Sequence, residues 1–217
     1  MDGCGCDGFA SIFDRRTAVH DLRRYQRNGP DRTTRMLLEL LRPAVDASTT
    51  ILDVGSGIGI IDQELLRAGA AHAVLVDGST AYLEVARDEA RRANLLDRLD
   101  IVEGDFVRRA GEVADADIVT LDRVICCYPD ADGLVTRSAS RARRLYGLVL
   151  PRDRWVTRTV LRLVNAWYRL RGRAYRAYAH PNARIDELAA GAGLRLRAET
   201  GTFVWRVAVY ERVAQTS

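Results

Sequence analysis

Two acids and three glycines on two short runs carry the clearest chemical signal in this sequence. ILDVGSGIG, from Ile51 to Gly59, places Gly55, Gly57 and Gly59 on alternate residues after an apolar stretch, with Asp53 two residues ahead of the first glycine. VLVD then ends in Asp77, 18 residues beyond Gly59. Such glycines let the backbone turn tightly and approach a ligand, and an acid closing the next buried strand can accept both hydroxyls of a ribose. A nicotinamide-dinucleotide fingerprint would need a sixth-position glycine, where this chain has Ile60. A phosphate-cradling loop for nucleotide triphosphates would need a lysine, and the sequence contains none.

Further reactive groups follow. EGDF carries Asp105 and Phe106, ADIVTLD ends in Asp122, and Cys126, Cys127 and Tyr128 come directly after. His180 stands alone in RAYAH, while His20 and His72 have no supporting neighbours and read as surface residues. Four cysteines form two close pairs, Cys4 with Cys6 and Cys126 with Cys127; neither has the CxxC spacing of structural zinc, and no metal site is expected. Between Gly133 and Ile185 lie thirteen arginines and one acid, Asp153, interleaved with Trp155, Trp167, Tyr168, Tyr175 and Tyr178.

These groups need a scaffold, and 217 residues with 47% apolar content suffice for one core. The pattern predicts an N-terminal arm over 1–30 and a single domain over 31–217, with a basic aromatic insertion around 151–180. A helix is expected from Asp31 to Leu41, capped by Asp31 and stopped by Pro43. Strands are expected near Thr50–Val54, Ala73–Asp77, Leu99–Glu103, Ile118–Leu121 and Leu145–Leu150, with helices near Asp62–Arg67 and Tyr82–Ala93 between them. A helix over Arg184–Ala192 and strands Leu194–Ala198 and Val204–Glu211 complete the reading. This alternation predicts an α/β fold with a Rossmann-like, mostly parallel seven-stranded sheet, an antiparallel finish and helices on both faces. Within the insertion, Val156, Val160, Leu163, Val164 and Trp167 share one helical stripe and Arg158, Arg162 and Arg169 another.

Acid, alternating glycines, distal acid, EGDF and ADIVTLD in this order resemble the Rossmann-like S-adenosylmethionine-dependent methyltransferases. That resemblance implies S-adenosylmethionine as cofactor. It places Gly55, Ser56 and Gly57 around the methionine part, with Asp53 ordering the loop. Asp77 with Gly78 would then hold the ribose, Asp105 with Phe106 the adenine, and Asp122 would stand near the methyl group. Downstream, VTLDRVICCYPD, RRLYGLVLPRDRW and RAYAH are similar to the magnesium-protoporphyrin O-methyltransferases, which esterify a porphyrin propionate. There the family usually carries a histidine before the tyrosine and proline, where this chain has Cys127. The resemblance implies a place for Tyr25 as the family's active-site tyrosine.

The expected activity is O-methylation of a small aromatic or carboxylated acceptor. An ionised carboxylate needs only positioning, whereas a phenol or alcohol would use His180 as base, with Tyr128 and Tyr25 as orienting hydroxyls and Cys127 lining the pocket. Arg154, Trp155, Arg158 and Tyr178 are expected to contact the acceptor if the insertion is a lid. Alternatively the insertion packs its apolar side on the core as an ordinary solvated helix, or rests on an anionic membrane surface. No nucleic-acid module accompanies the arginines. Two other readings stand beside this one: an S- or metalloid-methyltransferase using Cys126 and Cys127 with the N-terminal cysteines, and a cofactor-binding interaction module without catalysis. The polar start MDGCGCDG and the lack of a roughly 18-residue apolar run point to the cytoplasm. The arginine-only basic set suggests a high-GC bacterial origin.

Overall fold

A computed structural model of the chain describes residues 13–172 and 175–213. Buried parallel strands demand apolar runs, and the sequence supplies them as β1 (Thr50–Val54), β2 (His72–Asp77), β3 (Leu99–Glu103), β4 (Ala116–Asp122) and β5 (Ala142–Pro151). β6 (Leu194–Gly201) and β7 (Trp205–Arg212) follow as a hairpin. Among the described residues these form one seven-stranded sheet in the order β3-β2-β1-β4-β5-β7-β6, parallel except for β7, which runs antiparallel to both β5 and β6.

Successive side chains on a strand point to opposite faces, and each face here has its own core. Leu52, Val54, Val119, Leu121 and Leu148 enter one. Ile51, Leu75, Ile118, Leu145 and Val149 enter the other. Helices α2 (Arg32–Leu41), α3 (Ile60–Arg67) and α4 (Thr80–Arg92) cover the second face, while α5 (Phe106–Arg109), α6 (Ala131–Ser140) and α8 (Asn182–Gly191) cover the first. The Tyr146 hydroxyl, buried on the first face, is matched to Ser138 Oγ at 2.8 Å, so its polarity costs the core little.

One expectation needs correction. The N-terminal stretch taken as an arm contains α1 (Arg15–Asn28), capped by Asp14, whose Oδ1 accepts from Thr17 N at 2.8 Å. Ala18 and Tyr25 from α1 are buried with Tyr82 and Val85 of α4. The amphipathic segment is a helix, α7 (Trp155–Leu170), and of the surroundings left open for it the structure disfavours packing of the whole apolar stripe on the core: only Thr157 is buried, Val156 and Val164 are half-buried, and Trp155, Val160, Leu163, Trp167 and Leu170 are exposed. Cys4 and Cys6 lie outside the described residues. No helix among those described is long and apolar enough to cross a membrane.

Candidate functional site

β1 has β2 on one side and β4 on the other, so the chain's winding reverses there and a crevice opens beyond the carboxyl ends of these strands. The glycine loop fills its floor. Gly55 takes φ +69° and Gly57 φ +57°, a region costly for other residues. A Cβ on Gly55 would lie 2.4 Å from Val124 Cγ2, so the loop also sits too close to the β4 exit for any side chain. Gly55 N donates to Val76 O at 2.7 Å, and Gly57 N donates to Asp77 Oδ2 at 2.8 Å. Asp77 Oδ1 accepts from Ser79 N at 2.8 Å, which leaves each oxygen further acceptor capacity.

A cavity of about 440 Å³ opens above this floor, within the usual range of roughly 300–1,000 Å³ for small-molecule sites. Asp53, Gly55, Ser56, Gly57, Asp77, Gly78, Asp105, Phe106, Asp122, Cys127 and Tyr128 all line it. Asp105 caps α5, accepting from Val107 N at 2.9 Å, and Tyr128 Oη donates to it across the cavity. Asp122 Oδ2 accepts from Thr34 Oγ1 at 2.5 Å, and Oδ1 from Arg123 Nε at 2.9 Å. Asp53 accepts from Thr120 Oγ1 on β4 at 2.6 Å. It thereby ties the two strands flanking the crevice.

The acids set the electrostatics. Burial pushes Asp53 up to about 7, opposed by hydrogen bonding and reinforced by the charges of Asp122 and Asp77. Asp62, buried beneath the loop, is driven well above the ordinary carboxylate range by burial and by the neighbouring Asp53 charge. Burial also raises Asp77, against backbone N–H groups of Ser79, Gly57 and Gly78, and raises Asp122, against Arg123.

Other expected residues lie elsewhere. Tyr25 is outside this cavity: its hydroxyl donates to Glu64 Oε1 at 2.6 Å and accepts from Arg67 Nη1 at 2.6 Å, and burial with the Glu64 bond pushes it up to about 12. His180 Nε2 is 3.0 Å from the Tyr128 carbonyl oxygen, and its ring stacks on Tyr178 at 5.5 Å between centroids. Arg154, just before α7, and Trp155 and Arg158 on it are exposed, and Arg158 pairs with Asp153 at 2.5 Å. Neither they nor Tyr178 line the cavity.

Conversely, the cavity gathers residues the sequence did not single out as site residues. Phe13, Tyr82 and Tyr175 wall it, Phe13 meeting Tyr82 and Tyr175 edge-on at 5.7 and 6.2 Å. Arg24 enters beside Asp21, its nearest carboxylate at 4.0 Å. Arg123, at φ +62°, pairs with both Asp31 and Asp122, closing the β4 exit against α2. Cys127 Sγ lies 2.9 Å from Tyr175 Oη and 3.7 Å from Cys126 Sγ. Hydrogen bonding within the pair lowers Cys127, helped by Tyr175 and Arg123 and opposed by burial, and raises Cys126. Only Arg123 had a usable signal, as the residue directly after the strand-ending Asp122.

Residues 51–145 match the family model of the methyltransferase domain. Ribosomal protein L11 methyltransferase of Dechloromonas aromatica is 27% identical over 148 residues, 66% of this chain and 50% of that protein. The same-named protein of Pelotomaculum thermopropionicum is 29% identical over 108 residues, 49% of this chain and 35% of its own length. The chain thus spans half or less of the curated relatives it matches here. Among solved structures, magnesium protoporphyrin IX methyltransferase from Synechocystis PCC 6803 with bound SAH superposes with a TM-score of 0.69 at 19% identity, over 94% of this chain and 99% of that one. An O-methyltransferase family protein from Burkholderia thailandensis gives 0.61 at 19% identity, over 94% and 64%.

The residues present fit S-adenosylmethionine. Ser56 Oγ is a buried hydroxyl in the glycine loop without a hydrogen-bond partner among the described residues, as a site for a polar ligand atom would leave it. The left-handed glycines let the loop backbone itself form the cavity floor, and the acids of the cavity suit a ligand bearing a sulfonium and an ammonium.

Proposed function

We infer that this chain, which carries a Rossmann-like S-adenosylmethionine-dependent methyltransferase domain, methylates an oxygen of a small aromatic acceptor bearing a carboxylate. One observation carries the choice: the cavity is walled by aromatic rings, and His180 and Asp122, the candidates for a general base, are already engaged. His180 is held by the Tyr128 carbonyl outside the cavity lining. Asp122 is held by Thr34 and Arg123. A carboxylate is ionised at neutral pH and needs no base, so such a wall suffices for it.

Bound S-adenosylmethionine supplies a methyl carbon already activated by a sulfonium. The protein then has to hold an oxygen in line behind that carbon and keep water out. Asp77 would accept the ribose hydroxyls, with its carboxylate aimed by Gly57 N and Ser79 N. Asp105 and Tyr128 would close on the adenine end. Phe13, Tyr82 and Tyr175 would stack on the acceptor and exclude water, while Arg24 offers a charge-assisted bond to its carboxylate. The likeness to a magnesium protoporphyrin IX methyltransferase structure supports an acceptor of this class.

Cys126 and Cys127 favour a second reading. Their sulfurs, 3.7 Å apart in the cavity wall with Cys127 shifted toward thiolate, also suit a soft acceptor such as a thiol or arsenite. Incubation with methyl-labelled S-adenosylmethionine and parallel acceptors separates the readings. Base-labile methyl esters on porphyrin or aromatic carboxylates, absent when the carboxylates are already esterified, are expected. Label on phenols, thiols, arsenite or ribosomal protein L11 alone would overturn the carboxylate assignment, and cofactor binding with no transfer to any acceptor would favour an interaction module.

A further inference from the structure

α7 presents to solvent what a core helix would hide. Trp155 is 79% exposed, Leu163 66% and Leu170 88%, with Trp167 at 47% on the same side. At 100° per residue these four span one arc of the helix, and Arg158, Arg162 and Arg169 form a strip along one flank of it. The opposite arc, with Thr157, Leu161, Val164 and Tyr168, faces the body of the protein, so the apolar arc is additional to the packing face.

A second element extends the surface. The β6–β7 turn carries Phe203, 64% exposed, and the Arg154 guanidinium lies over its ring at 4.9 Å, joining the turn to the start of α7. Arg171 likewise covers Trp167 at 4.6 Å. Among the described residues, neither Arg162 nor Arg169 has a carboxylate partner.

We propose that α7 and the Phe203 turn dock on an anionic lipid bilayer, with Trp155, Leu163, Leu170 and Phe203 entering the headgroup boundary and the arginine strip contacting lipid phosphates. Aromatic and aliphatic tips beside arginines are the composition of helices lying in the interface plane, and long arginine stems keep the charge at headgroup level. A second copy of this chain would set Arg162 and Arg169 against their own copies, whereas an anionic lipid surface neutralises them, at roughly fivefold in affinity per arginine.

The helix also reaches the cavity from outside. Trp167 contacts Tyr168 at 5.2 Å, Tyr168 contacts Tyr175 at 5.4 Å, and Tyr175 lines the cavity beside Phe13. Docking therefore sets the aromatic wall of the cavity directly behind the lipid surface. An acceptor dissolved in the bilayer would enter along this row of rings; that clause alone rests on the function proposed above.

Vesicle co-sedimentation of the full chain tests the docking without any acceptor. Pelleting is expected with phosphatidylcholine vesicles containing phosphatidylglycerol and not with phosphatidylcholine alone, accompanied by a blue shift of tryptophan emission. Paired Trp155→Ser and Phe203→Ser changes, and separately Arg162→Glu with Arg169→Glu, should each weaken pelleting at least tenfold while leaving S-adenosylhomocysteine affinity unchanged by calorimetry. Absence of pelleting, equal pelleting with neutral vesicles, or a lipid-free dimer dispersed by Trp155→Ser would overturn the proposal. Because transfer to soluble acceptors is measured separately, loss of lipid binding and failure of the carboxylate assignment remain distinguishable.

Discussion

The Tyr128 hydroxyl lies 2.9 Å from both oxygens of Asp105, so a residue leaving the β4 exit is latched to the cap of α5 within the cavity lining. The bond is made to a carboxylate and is partly shielded from water, which makes it worth more than an ordinary surface contact. Tyr128→Phe removes the donor while keeping the ring. Calorimetry with S-adenosylhomocysteine should show roughly tenfold weaker binding, about 1.4 kcal/mol, with the fold intact by circular dichroism. Unchanged affinity would mean the latch opens before the cofactor enters.

Gly55 and Val124 form a second pair. Gly55→Ala combines a left-handed backbone, costing about 1–2 kcal/mol, with a collision against Val124. We expect a lowered thermal midpoint and loss of cofactor binding. Adding Val124→Ala should recover part of the stability, because it removes the collision but not the backbone cost. No recovery in the double variant would show that the backbone term dominates.

The buried acids give opposite pH trends for stability and binding. Asp53 rises from an ordinary value of 3.8 to about 7 in the folded chain. A raised carboxyl favours the folded state most fully below its unfolded value and loses that contribution as pH climbs through the folded one. The thermal midpoint of the ligand-free protein should therefore fall between about pH 4 and pH 7, and Asp53→Asn should flatten that slope. Binding of the cationic cofactor should instead weaken on acidification, as Asp53 and Asp77 lose charge. Parallel trends in the two measurements would contradict this assignment.

Tyr25 bridges Glu64 and Arg67 outside the cavity. Tyr25→Phe should lower stability by about 1 kcal/mol and leave the methyl-transfer rate within twofold. A large fall in rate at full occupancy by cofactor would restore Tyr25 to the chemistry.

What the sequence revealed follows from how local each feature is. β1 and β3 lie on the residues their apolar runs predict, and the glycine loop with Asp77 is legible because cradle and acid are fixed by consecutive strands. α1 was missed because its stripe of Ala18, Leu22 and Tyr25 is narrow in an otherwise polar segment, and α6 because it buries small residues such as Ala131, Ser138 and Ala139. The aromatic wall could not be read at all. Phe13, Tyr82 and Tyr175 come from distant segments, and only tertiary packing brings them together. α7 spans the residues its periodicity predicts while its surroundings stayed open among core, lid and membrane surface: periodicity reports that a helix has an apolar side, never what that side faces.

β7 lies between β5 and β6 yet is made after both. During synthesis β6 thus emerges with no strand to pair with, and β5, whose Leu145–Pro151 stretch is buried in the finished sheet, waits with one edge bare while more than fifty residues, α7 and α8 among them, leave the ribosome. An unpaired apolar edge held open for that interval is the stage at which nascent chains of this protein are most exposed to strand-to-strand aggregation, and the point at which a chaperone would have most to shield.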